Sequence, residues 1–178
     1  MSVTRRLQIE DASELAAVLA ANRRFLAPWW PNRPDRYFTA EGQRAAVADA
    51  LEQQAAGSSV PLLIQDREVI VGAITVQSII RGAFQSCSVG YWLAENAQGR
   101  GLATAALRDA VAVAFGDLRL HRMQAETLVR NERSHRVLRR VGFTEYGTAP
   151  SYLHIEGRWQ EHLLFQLLTP TPDQVVTG

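Results

Sequence analysis

Ser88-Val89-Gly90-Tyr91-Trp92-Leu93-Ala94-Glu95-Asn96-Ala97-Gln98-Gly99-Arg100-Gly101-Leu102-Ala103-Thr104 reads as a strand that passes through a glycine turn into a helix. Physically this is an anion cradle. Gly99 and Gly101 lack a Cβ, so backbone amides there come close to phosphate oxygens, and the unpaired N–H groups of the following helix add positive potential at the same spot. A pyrophosphate suits that geometry, with Arg100 placed for a charge-assisted contact. The plainer alternative is that the glycines only close a strand-to-helix turn. A P-loop would require Gly-Lys-Ser/Thr, and the chain has no lysine. A dinucleotide fingerprint, Gly-x-Gly-x-x-Gly/Ala, fails at Thr104, although Glu126 on the next strand leaves NAD as a minor alternative.

Upstream of this stretch a short strand is expected around Val3 to Ile9. Asp11 and Ser13 offer N-caps for a helix through about Arg24, which Pro28-Trp29-Trp30-Pro31 breaks. A second helix is expected from Thr39, as N-cap, to Ala56. Val60 to Gln65 and Val69 to Ile80 read as a hairpin, and Cys87 to Ala94 as the strand before the cradle. Downstream come a helix from Leu102 to Phe115, a strand from Leu120 to Thr127 and a helix from Arg133 to Arg140. Two strands follow, from about Phe143 to His154 and Trp159 to Leu168. The order β-α-α-β-β-β-α-β-α-β-β describes a mixed α/β sheet with helices on both faces. No repeat or linker divides it, so residues 1–168 are expected to form one domain and 169–178, with Pro170 and Pro172, a loose tail.

The 178 residues are 47% hydrophobic and 21% charged, enough for a core that needs no staples. Cys87 is the only cysteine, which excludes an intramolecular disulfide and fits a reducing compartment. No apolar h-region follows Met1 and no run approaches a membrane span, so a cytoplasmic protein without membrane contact is expected. Net charge is only +1, yet all 19 basic residues are Arg, and seven of them (Arg119, Arg122, Arg130, Arg133, Arg136, Arg139, Arg140) crowd one short segment. That segment is either a phosphate neighbourhood or a solvated helix face. His121, His135, His154 and His162 lack metal-ligand spacing, so no metal is expected.

Gln98-x-x-Gly101-x-Ala103 resembles the acyl-coenzyme-A pyrophosphate motif of the GNAT superfamily of N-acetyltransferases, and Asn131-x-x-Ser134 followed by Gly142-Phe143 is similar to its downstream elements. Asn22-Arg23-Arg24-Phe25-Leu26-Ala27-Pro28-Trp29, Arg81-Gly82-Ala83-Phe84 and Tyr152-Leu153-His154-Ile155-Glu156-Gly157-Arg158-Trp159-Gln160-Glu161-His162 tighten the resemblance to the RimJ-type ribosomal-protein alanine N-acetyltransferases. It implies a GNAT fold: a central, mostly antiparallel sheet of about seven strands, splayed between the fourth and fifth. On that pattern the free backbone of Gly90 to Leu93, including Tyr91, Trp92 and Leu93, would hydrogen-bond the pantetheine arm of acetyl-CoA. The amides of Gln98, Gly99, Arg100, Gly101, Leu102, Ala103 and Thr104 would hold the pyrophosphate. Asn131 would bond the pantetheine, Arg133 would lie beside the coenzyme, and Ser134 would face the sulfur. On local grounds alone, Asn131 is equally an N-cap and Ser134 a first-turn serine.

The implied reaction is direct attack by an amine on the thioester in a ternary complex. An α-amine of pKa about 8 is roughly one-tenth neutral at pH 7, whereas a lysine amine near 10.4 is neutral to about one part in 10³, so a protein N-terminus asks little of a base. Glu126 is the candidate base, with Glu145, Glu156 and Glu161 as alternatives; some relatives carry a glutamate where this chain has Leu153. Ser134 is the candidate hydrogen-bond donor to the leaving sulfur. Cys87 has no activating base, which disfavours an acyl-cysteine route. Phe25, Trp29, Trp30, Tyr37 and Phe38, faced by Tyr152 and Trp159, are either groove walls or core. The expected acceptor is the N-terminus of a ribosomal protein, with ribosome association and a monomeric or homodimeric state. A small amine such as an antibiotic or polyamine, and a non-catalytic acyl-CoA or ribosome-binding protein, are the alternatives.

Overall fold

Val60-Pro61-Leu62-Leu63-Ile64 is buried at every position because both faces of its strand are covered. Leu62 and Ile64 belong to the buried cluster on one face that also holds Leu107, Leu138 and Phe165, with the helix Leu102–Ala112 packed on this strand. Leu63 points the other way, to Leu15 and Val47. The computed structural model describes residues 2–169, which holds all of the expected tail but Thr169 outside the described residues.

The elements run β1 (Thr4–Arg6), α1 (Ala12–Leu26), α2 (Ala40–Ala55), β2 (Val60–Asp66), β3 (Val69–Ile80), β4 (Ser86–Leu93), α3 (Leu102–Ala112), β5 (Arg122–Leu128), α4 (Glu132–Val141), β6 (Thr144–Ile155) and β7 (Arg158–Leu168). They form one seven-stranded sheet in the order β1-β2-β3-β4-β5-β7-β6. Every neighbouring pair is antiparallel except β4 and β5, whose parallel pairing follows from the crossover through α3. Helices α1 and α2 cover one face, α3 and α4 the other. The mixed sheet with helices on both faces is thus the architecture expected from the element order.

The β4–β5 ladder is short. It pairs Ser86 with Arg122, Cys87 with Met123 and Ser88 with Gln124, then stops. Beyond that point β4 stays on β3 as far as Leu93, paired with Gly72, while β5 stays on β7 as far as Leu128, paired with His162. Each strand follows its outer partner and the two diverge, giving the splay between the fourth and fifth strands.

Two local expectations change. The first strand ends at Arg6, because Ile9–Asp11 forms a 3-10 turn before α1. The Asp11 carboxylate closes that turn by accepting from the Gln8 N–H at 2.8 Å and pairs with the Arg5 guanidinium at 2.7 Å, so it is not spent on capping α1. The helix after the cradle is α-helical only to Ala112 and ends in a π-helical turn over Val113–Asp117. Thr39 caps α2 as expected, accepting from the Gly42 N–H at 3.1 Å.

Gly72 fixes how closely β3 approaches the divergent end of β4. A Cβ there would collide with the Trp92 carbonyl oxygen and crowd the Leu93 Cα at 3.1 Å, both backbone. Gly72→Ala is therefore expected to lower stability by about 1–3 kcal/mol, read as a lower urea midpoint at unchanged slope. Gly147→Ala, whose Cβ would meet nothing nearer than 3.9 Å, serves as the control with little change.

Candidate active site

The divergence of β4 and β5 opens a V-shaped cleft through the sheet, and the sequence places different chemistry at its two ends. At the end beyond Leu93 the chain makes a 3-10 turn over Glu95–Ala97 and enters α3. Gly99 (φ 75°) and Gly101 (φ 79°) both sit in the left-handed region, which favours glycine. A Cβ at either would meet no protein atom within 4 Å, so the need for glycine is conformational and the space above the loop is open. The first intrahelical bond from the cap is Ala105 N–H to the Gly101 carbonyl, which leaves the amides of Leu102, Ala103 and Thr104 as the orphan donors of the helix N-terminus. Gln98 holds this turn in place: its side-chain amide folds back to donate to the Leu93 carbonyl at 3.2 Å.

Cationic side chains close the cradle from the opposite side, and they come from α4. Arg133, Arg136 and Arg140 line the same pocket as Gly99, Gly101 and Thr104. Their spacing of three and four residues puts them on one face of the helix, a signal present in the sequence. The Arg-rich segment therefore divides. Arg139 pairs with Glu145 at 2.8 Å and Arg122 lies over Tyr146, both away from the cradle. Arg100, expected at the phosphate, is engaged by Asp66 of β2 at 2.6 Å, so a phosphate contact competes with that ion pair.

Arg130 has a different task. It donates to the Pro28 carbonyl, to Gln160 and to Glu156, each at 2.7 Å, and its guanidinium lies 5.6 Å from the Trp29 ring centroid. It clamps the segment after α1 to the β6–β7 hairpin, and nothing in the sequence pairs residues so far apart.

At the centre of the cleft, α4 begins. Asn131 caps it by accepting from the Ser134 N–H at 3.2 Å, which orients the first turn. Ser134 Oγ lies 2.8 Å from the Tyr91 hydroxyl of β4, a hydrogen bond that spans the cleft from strand to helix. Burial pushes the Tyr91 phenol up to about 12, with the Ser134 bond opposing that rise. Phe25, Trp29 and Trp30 wall the cleft here, and Trp92 meets Trp30 edge-on at 5.8 Å.

The far side of the cleft is lined by Glu126, Tyr37, Arg33, Leu153 and His162 together with Gly90. Glu126 projects from β5 beyond the end of the ladder, and burial raises its carboxyl above the usual range, offset in part by a backbone hydrogen bond. His162 Nδ1 donates to the Gln160 carbonyl at 3.0 Å, and burial lowers its pKa. Tyr152 packs its ring 5.3 Å from His162, and burial and the nearby Glu126 charge both raise it. Phe38 turns instead to Tyr37 and Arg23, and Trp159, 64% exposed against His154, does not face the cleft as expected. Glu145 and Glu156 are held in ion pairs with Arg139 and Arg130, and Glu161 is exposed on β7. Burial pushes the Cys87 thiol up to about 12, which makes it a poor nucleophile. Among the described residues no group of three His, Cys, Asp or Glu is disposed to hold a metal, and no helix is long and apolar enough to cross a membrane.

Known proteins are similar to this chain in sequence and fold. The family model described as an Acetyltransferase (GNAT) domain matches residues 3–144. The [ribosomal protein uS5]-alanine N-acetyltransferase of Escherichia coli is 35% identical over 170 residues, covering 94% of this chain and 88% of that protein. The crystal structure of ribosomal-protein-S5-alanine acetyltransferase from Vibrio fischeri superposes with a TM-score of 0.90 at 31% identity, covering 95% of this chain and 94% of that one. Mycobacterium smegmatis RimJ in complex with CoA-disulfide gives a TM-score of 0.90 at 29% identity, covering 93% and 80%.

The Glu126 environment has a measurable consequence. Its folded-state pKa lies above the unfolded value, so its contribution to stability is fully present below the unfolded pKa, near 4.3, and is lost as pH rises through the folded pKa. Glu126→Gln removes that loss. Thermal melts are expected to give the variant a higher Tm than the parent at pH 7, with the gap closing toward pH 4.

Proposed function

The chain belongs to the GNAT acetyltransferase family and uses acetyl-CoA, and from that premise we propose that one domain spanning residues 1–168 acetylates the α-amino group of a protein N-terminus. The observation that carries this reading is the early end of the β4–β5 ladder at Ser88, which exposes the β4 edge between a phosphate cradle and a pair of polar groups. The Escherichia coli relative at 35% identity and the Vibrio fischeri structure at 31% are named for alanine acetylation of ribosomal protein S5, which supports a ribosomal protein as acceptor.

The residues fit acetyl-CoA along its length. The orphan amides of Leu102, Ala103 and Thr104 and the Arg133, Arg136 and Arg140 side chains receive its phosphates. The backbone of Tyr91, Trp92 and Leu93 pairs with the pantetheine amides as a strand edge does. Asn131 and Ser134 meet the thioester end, with Ser134 in reach of the sulfur. The orienting groups lie on regular elements, β4 and α4, so positioning does much of the chemistry.

On the acceptor side, an extended peptide enters between the aromatic segment after α1 and the β6–β7 hairpin. Glu126 receives the ammonium proton. A carboxylate whose desolvation raises its pKa is a better base toward an amine of pKa about 8 than an exposed one. Ser134 stabilises the departing thiolate by hydrogen bonding; a thiol of pKa about 8.5 leaves without requiring full protonation. Leu153 lines this side with an apolar surface, which leaves Glu126 as the carboxylate that faces the cleft.

Mass spectrometry decides the acceptor. The protein is incubated with acetyl-CoA and peptides beginning Ala, Ser or Met, with a lysine-bearing peptide blocked at its N-terminus and with aminoglycosides as controls. The expected result is a 42 Da gain on the Ala and Ser peptides only; acetylation of the lysine control or of an aminoglycoside instead would overturn the reading. Ser134→Ala is expected to lower kcat by about 10- to 100-fold with acetyl-CoA affinity unchanged, and Gly101→Val, strained at φ 79°, to weaken that affinity about tenfold. The reverse pattern would mean that the two roles are exchanged.

A further inference from the structure

Ser134 alone is an imperfect hydrogen-bond donor to sulfur. A serine in the first turn of a helix has local carbonyls to satisfy its hydroxyl, and any rotamer that does so turns the hydrogen away from the cleft. The Tyr91 hydroxyl narrows that freedom. It stands 2.8 Å from Ser134 Oγ on the strand facing α4, and Ser134 is its only hydrogen-bond partner among the described residues. A serine hydroxyl has one hydrogen to give and two lone pairs to receive. If the phenol fills one lone pair, the serine hydrogen is left to point into the cleft.

We infer that Tyr91 is a positioning residue for acetyl transfer: its phenolic O–H donates to Ser134 Oγ and aims the Ser134 hydroxyl at the leaving sulfur. This rests on the acetyl-transfer reading above. The nitrogen lone pair forms the C–N bond and the C–S electron pair leaves with sulfur. Of the two protons that an ammonium acceptor gives up, one passes through Glu126 to solvent. The other leaves nitrogen for solvent as the tetrahedral intermediate collapses, and the thiolate that Ser134 has stabilised then takes up one proton from solvent, so one proton is released overall and neither hydroxyl ends the cycle ionised. A tyrosine phenol is protonated at neutral pH even without burial and keeps a hydrogen to give. Chained hydrogen bonds polarise one another, so Tyr91 also makes Ser134 a stronger donor as charge builds on sulfur.

A double-mutant cycle tests it, with Tyr91→Phe, Ser134→Ala and the two combined. Tyr91→Phe keeps the ring and removes only the hydroxyl. It is expected to lower kcat about tenfold, with acetyl-CoA Kd, acceptor KM and Tm unchanged. In the Ser134→Ala background the same substitution is expected to change kcat less than twofold, because the group through which it acts is gone. Equal losses in both backgrounds would overturn the inference and assign Tyr91 a direct contact of its own. A loss of acetyl-CoA affinity or Tm with kcat preserved would overturn it in favour of a structural role. The cycle is run on whichever amine the parent acetylates, so an unexpected acceptor defeats the N-terminal reading while the cycle still decides Tyr91.

Discussion

The structure depends on a strand pair that stops too soon. β4 and β5 share three residue pairs, and each then follows its other neighbour. β4 is held to β3 by a ladder that needs the bare Cα of Gly72, and β5 is held to β7 along its whole length. The divergence creates an edge of backbone donors and acceptors inside a sheet instead of at its rim. An edge normally has to be blunted against indiscriminate pairing. Here the walls of the cleft do that, since α4, the aromatic segment after α1 and the β6–β7 hairpin cover the exposed edge.

The cleft is electrically divided. At the cradle, orphan amides and the Arg133, Arg136 and Arg140 row favour anions. On the far side of the cleft burial works against charge of either sign: it raises Glu126 and Tyr152 and lowers His162. The two ends of the cleft thus differ in character: one attracts anions and the other disfavours charge. The desolvated Glu126 carboxylate costs stability at neutral pH, a conflict common at functional positions.

Arg130 and Tyr91 show how distant parts of the chain are made to agree. Arg130 ties Pro28 to Gln160 and Glu156 and so joins the segment after α1 to the β6–β7 hairpin. Tyr91 ties β4 to α4 through its 2.8 Å hydrogen bond with Ser134. Both use hydrogen bonds between rigid elements, which hold a geometry more tightly than loop contacts do.

Much of this was written locally. The strand, glycine turn and helix from Ser88 to Thr104, the caps at Thr39 and Asn131, and the order of elements all rest on interactions within a few residues, so pattern and propensity were enough to place them. The three-and-four spacing of Arg133, Arg136 and Arg140 was legible for the same reason. Tertiary structure alone decided the end of the β4–β5 ladder, the removal of Arg100 to Asp66 and of Asp11 to Arg5, the exposure of Trp159, and the meeting of Tyr91 with Ser134 across 43 positions. Each of these depends on which element packs beside which. A hydrogen bond or ion pair between remote residues leaves no period in the chain, because its geometry exists only once the sheet has set both partners in place.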